Sequence, residues 1–88
     1  MGMKLVFAEP AWDEYVSCQM LDRKSGKKLN ALLKDVLRNP TDGIGHPEQL
    51  KDRVNTWSRH VNEKDRLVYE IHGDEILVKQ CRGHYGDK

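Results

Sequence analysis

The stretch from Trp57 to Ile71 limits the fold more than any other part of the chain. From Arg66 onward the residues alternate, with Leu67, Tyr69 and Ile71 on one side and Arg66, Val68 and Glu70 on the other. Successive side chains of a strand point to opposite faces of a sheet, so this spacing predicts a strand with one apolar face. Trp57 to Val61 precedes it across the polar turn Asn62-Glu63-Lys64-Asp65, and the two segments together predict a hairpin. Arg66 then stands on a strand, opposite the apolar row, where a functional group is held more precisely than on a loop.

The flanking segments supply the remaining elements. Lys4 to Ala8 predicts a short strand, closed by Glu9-Pro10, and Pro10 suits the first turn of a helix. In that helix Trp12, Tyr15, Val16 and Met20 recur at helical spacing and predict the stripe that faces the core. Asp22 is the expected N-cap of a second helix with the stripe Leu29, Leu32, Leu33, Val36 and Leu37. Its polar side carries Arg23, Lys24, Lys27, Lys28, Lys34 and Arg38, and it should stop near Asn39, since the residue before Pro40 is driven out of the helical region. Gly26 inside this helix costs about 1 kcal/mol relative to alanine. The short join favours an antiparallel helical hairpin.

Thr41 to Pro47 reads as a loop, and Glu48 to Lys51 follows it before the hairpin. A turn at His72-Gly73-Asp74 leads into a last strand from Glu75 to Arg82. Segregation of helices from strands predicts an α+β domain. It would have an N-terminal strand, a two-helix antiparallel hairpin and a three-stranded antiparallel meander, in one sheet with the helices on one face. Arg66 is expected on the other face.

At 88 residues, with 38% hydrophobic and 33% charged, residues 1–88 make one domain with a modest core. Met1-Gly2 reads as a cloning remnant and residues 86–88 as a tail. No apolar run approaches the roughly 18 residues of a membrane span, and no signal peptide is visible, so a cytoplasmic protein is expected. In that setting Cys18 and Cys81 are expected to be free thiols. A net charge of +1 is small for a nucleic-acid binder, but the basic residues concentrate on the second helix.

Taken singly, the chemical candidates have plain readings: Glu48 as a solvated residue, Arg66 as a surface ion-pair partner, His84 as an exposed histidine. His46 and Glu48 are spaced H-x-E, but no second pair completes a ligand set, so no metal or other cofactor is expected.

Four segments taken together are more specific. Gly43-Ile44-Gly45-His46-Pro47-Glu48-Gln49-Leu50-Lys51, Trp57-Ser58-Arg59, Arg66-Leu67-Val68-Tyr69 and Cys81-Arg82-Gly83-His84-Tyr85 occur in this order. With Trp12-Asp13-Glu14-Tyr15 and the run Lys27 to Asp35, they resemble the YoeB family within the RelE-like superfamily of bacterial toxin–antitoxin toxins. The resemblance extends from Met3 to Tyr85. It implies an endoribonuclease that cuts mRNA in the ribosomal A site and a cognate antitoxin of the YefM type. It further implies contact with operator DNA only through that antitoxin, and self-association as a homodimer. Glu48 matches the family's general base, Arg66 its transition-state arginine, His84 its general acid and Tyr85 the aromatic residue beside that acid. Lys51 and Arg59 match accessory basic positions, and His60 stands where the family often has a second arginine; all three are expected to contact the substrate.

The chemistry suits these residue types. RNA carries its own nucleophile, the 2′-hydroxyl beside the scissile phosphate. Cleavage needs a base for that hydroxyl, an acid for the departing 5′ oxygen and positive charge on the phosphoryl oxygens. A glutamate, a histidine and an arginine can fill these roles in turn. Two other readings remain open: an enzyme on the same fold that cuts free RNA, and a non-catalytic gyrase poison or co-repressor.

Overall fold

A computed structural model describes residues 3–83. Its elements, in chain order, are β1 (Lys4–Phe7), α1 (Glu9–Leu21), α2 (Arg23–Arg38), β2 (Glu48–Gln49), β3 (Thr56–His60), β4 (Arg66–His72) and β5 (Glu75–Gln80). They form the expected α+β arrangement, with the five strands in one sheet in the order β1-β5-β4-β3-β2. The meander β3-β4-β5 is antiparallel, whereas β1 joins the edge of β5 in parallel. One element goes beyond the expectation: Glu48 and Gln49 pair with Ser58 and Trp57 as a two-residue edge strand.

The second helix follows its sequence pattern closely. Asp22 caps it by accepting a hydrogen bond from the Ser25 N–H at 3.1 Å, and Leu29, Leu32, Leu33 and Val36 are buried. The apolar stripe of α1 is a correction. Trp12 and Met20 are 50% and 75% exposed, and the inward residues are Ala11, Tyr15 and Cys18, at i, i+4 and i+7. Trp12 instead packs beside Phe7 and stacks on Tyr15, with ring centroids 5.4 and 5.6 Å apart.

Gly26 has a packing reason. The Gln19 Nε2 donates to the Gly26 carbonyl at 3.0 Å, and a Cβ on Gly26 would meet the Gln19 amide at 3.1 Å. Tyr15 closes the same helical pair by donating to Asn30 Oδ1 at 2.7 Å. Cys18 and Cys81 are both free thiols. Burial pushes the Cys81 thiol up to about 12, with the Glu14 carboxylate adding to the shift. No helix of the described residues is long and apolar enough to cross a membrane.

The alternation along β4 holds, with Leu67 and Tyr69 in the core under the helices and Ile71 packed against it. A bulge at Val68/Tyr69 shifts the register against β5. The far face is less bare than its composition suggests, because Thr56, Ser58 and Val68 are buried there.

Candidate active site

Register assembles the site. Glu48 faces Ser58, Ser58 faces Val68, and Val68 faces Gln80, a continuous row across four strands. Directly paired residues of antiparallel strands put their side chains on the same face. Two residues along the strands, His60 faces Arg66 and shares that face. Glu48, His60 and Arg66 therefore stand on one side of the sheet, away from the helices. Strand spacing puts Glu48 and Arg66 about 10 Å apart across the sheet and about 7 Å along it. Side chains of their length can meet around a phosphate held between them.

The loop before β2 is anchored so that Glu48 arrives at this face. His60 N–H donates to the Gly45 carbonyl at 2.7 Å, and the rings of His46 and His60 meet edge to face at 5.5 Å. After β2 the buried Leu50 donates its N–H to the Thr56 carbonyl at 2.9 Å, and Lys51 follows on an exposed turn. Glu48 is itself exposed. Ser58, between Glu48 and Val68 in the row, is only 1% exposed, and its Oγ has no hydrogen-bond partner among the described residues.

Arg66 is half-buried at the start of β4. Its Nη1 donates to the carbonyls of Asn62, Asp65 and Glu63 at 2.9, 3.2 and 3.4 Å. Only this nitrogen of the guanidinium has acceptors among the described residues. The backbone of Arg66 makes the other important contact, its N–H donating to the Gly83 carbonyl at 2.9 Å. His84 is bonded to that carbonyl carbon. His84 and Tyr85 lie outside the described residues, but the chain leading to them is tied to Arg66.

Arg59 stands apart from its expected role. Strand parity puts it opposite Leu67 on the helix side, fully buried. Its Nε donates to Tyr69 Oη at 3.1 Å, its Nη1 to Asp35 Oδ2 at 2.7 Å and to the Ile44 carbonyl at 3.2 Å. Nη2 donates to the carbonyls of Asn39 at 2.6 Å and Asp42 at 2.9 Å. Tyr69 continues the network to the Pro40 carbonyl at 2.6 Å. In place of a substrate contact, Arg59 holds the loop from Asn39 to Ile44, which delivers Glu48. Its hydrogen bond keeps the Asp35 carboxyl below the usual carboxylate range, helped by the Ile44 N–H. The alternation of Trp57, Ser58, Arg59 and His60 was the signal that could have found this.

The comparisons with known proteins meet the same residues. A family model described as "YoeB-like toxin of bacterial type II toxin-antitoxin system" matches residues 7–85. The chain belongs to this family. Toxin YoeB of Escherichia coli K12 is 44% identical over 84 residues, covering 94% of this chain and all of that one. A YoeB dimer from Staphylococcus aureus superposes with a TM-score of 0.86 at 38% identity, covering 94% of this chain and 98% of that one. A heterotetrameric YoeB–YefM toxin–antitoxin complex from the same organism gives 0.83, also at 38% identity and the same coverage. The YoeB resemblance read from the four motifs is thus the family of the whole domain, and the fold is that of YoeB toxins.

Proposed function

We propose that this YoeB-family toxin is an endoribonuclease that cuts mRNA in the A site of the ribosome. The observation that carries the reading is the shared face: Glu48 and Arg66 on one side of the sheet, with the Gly83 carbonyl, to which His84 is attached, hydrogen-bonded to Arg66. Glu48 takes the proton of the 2′-hydroxyl, which attacks the adjacent phosphorus. Arg66 meets the negative charge that grows on the phosphoryl oxygens. His84 gives its proton to the 5′ oxygen as the P–O bond breaks, leaving a 2′,3′-cyclic phosphate and a 5′-hydroxyl. Tyr85 stacks on or orients the nucleotide, and Lys51 and His60 flank the substrate.

The ribosome supplies a positioned codon, and the protein supplies a phosphate-binding face. Arg23, Lys24, Lys27, Lys28, Lys34 and Arg38 are all exposed along α2, a row suited to ribosomal RNA phosphates and hence to salt-sensitive binding. The S. aureus YoeB structures support a YefM-type antitoxin as inhibitor and a homodimer as the free state. Operator DNA is reached through that antitoxin, and the working compartment is the cytoplasm.

Incubating purified protein with mRNA, alone and on programmed ribosomes in chelator-treated buffer, tests this reading. Cleavage only with ribosomes is expected. Equal cleavage of naked RNA would make it a ribosome-independent nuclease, and no cleavage in either would make it a non-catalytic relative.

A further inference from the structure

Asp65 lies in the turn between β3 and β4 and touches both halves of the site at once. Its Oδ1 accepts the Gly83 N–H at 2.8 Å, and its Oδ2 accepts Asn62 Nδ2 at 3.0 Å. Asn62 returns the grip: its Oδ1 accepts the N–H groups of Lys64 and Asp65, both at 2.8 Å. The Asn62 carbonyl is also the shortest acceptor of the Arg66 guanidinium. On its other side, the Gly83 carbonyl accepts from Arg66 N–H at 2.9 Å and from Gln80 Nε2 at 2.8 Å. Gly83 has a φ of +76°, a conformation open to glycine and costly for other residues. A carboxylate on a backbone N–H is a charge-assisted bond, stronger than a neutral one.

We propose that Asp65 is a positioning residue of the active site. It clamps Gly83, at the end of the chain leaving β5, to the turn that orients Arg66, and so acts through the backbone on His84, the residue bonded to Gly83. The proposal rests on the assignment of His84 as the acid. It adds a residue outside the catalytic motifs, acting through its carboxylate rather than by touching RNA. Misplacing a catalytic group by about 1 Å can cost about a hundredfold in rate.

A double-mutant cycle on programmed ribosomes tests it, using single-turnover cleavage by the full-length protein. Asp65→Ala is expected to lower the maximal rate about tenfold to a hundredfold, with the half-saturating ribosome concentration unchanged. Asp65→Asn keeps an oxygen for the Gly83 N–H and is expected to lose less than Asp65→Ala; it carries the cycle if the alanine variant does not fold. In a His84→Ala background either Asp65 substitution should cost less than about twofold, because the group it places is gone. Equal fold-losses in both backgrounds, or a change confined to half-saturation, would overturn the proposal alone. A His84→Ala protein that cuts at the wild-type rate would overturn the acid assignment, and this proposal with it.

Discussion

Asp35 on α2 and Arg59 on β3 form an ion pair at 2.7 Å, with the arginine completely buried. Around it the chain from Asn39 to Ile44 offers three carbonyls to the same guanidinium. Removing one member of a buried pair strands the other's polar partners, which typically costs about 3–5 kcal/mol. Arg59→Leu is therefore expected to lose stability of that order in urea denaturation. Arg59→Lys should recover only part of it, since an ammonium cannot reach acceptors set around a planar fork. An Arg59→Leu protein as stable as wild type would show that the loop is held by other contacts.

Acid should act through the same pair. The folded-state pKa of Asp35 is depressed by the Arg59 hydrogen bond. Its contribution is thus fully present above the unfolded carboxylate value, near pH 4, and is lost as pH falls through the lower folded value. Stability measured against pH should decline below about pH 4. Asp35→Asn should be less stable near neutrality and show a shallower acid decline. An unchanged acid limb in that variant would assign the decline to other carboxylates.

Gly43 passes directly under this pair. It has a φ of +125°, and a Cβ there would overlap Asp35 Oδ2. Gly43→Ala is expected to destabilise by about 2 kcal/mol or more, from backbone strain together with the displaced carboxylate. It should also slow cleavage, because the loop carries Glu48. Melting temperature and single-turnover rate check the two effects; loss of stability with full activity would separate the loop from the base.

Ser58 is expected to behave in the opposite way. Its buried Oγ has no hydrogen-bond partner among the described residues. Removing a buried hydroxyl that has no partner removes its desolvation cost. Ser58→Ala should melt at or above the wild-type temperature, gaining up to about 1 kcal/mol. A clear loss of stability would mean that the hydroxyl is bonded.

Much of this architecture was legible in the residues. The period of Leu29, Leu32, Leu33 and Val36 and the alternation of Leu67, Tyr69 and Ile71 each match one buried face. Helix α1 was harder, because apolar residues surround it, and only packing selects Ala11, Tyr15 and Cys18. Edge strand β2 was invisible, since two residues have no period and their pairing with Ser58 and Trp57 is a long-range event. Within the site, the motifs singled out Glu48 and Arg66, and register placed them on one face. Arg59 matched an accessory basic position of the family, and only strand parity, which pairs it with Leu67, turns it into the core. Asp65 has no motif at all, and its importance lies in what the fold brings to its two oxygens.

The most direct test of a Glu48–Arg66–His84 site is the leaving group. Placing sulfur at the bridging 5′ position of the scissile phosphate removes the need for an acid, since a thiolate departs without a proton. Single-turnover cleavage of natural A-site mRNA should fall about 10²- to 10⁴-fold in both Glu48→Ala and His84→Ala. With the sulfur substrate, His84→Ala should return to within about tenfold of wild type while Glu48→Ala stays slow. Equal rescue of both variants, or of neither, would contradict these roles.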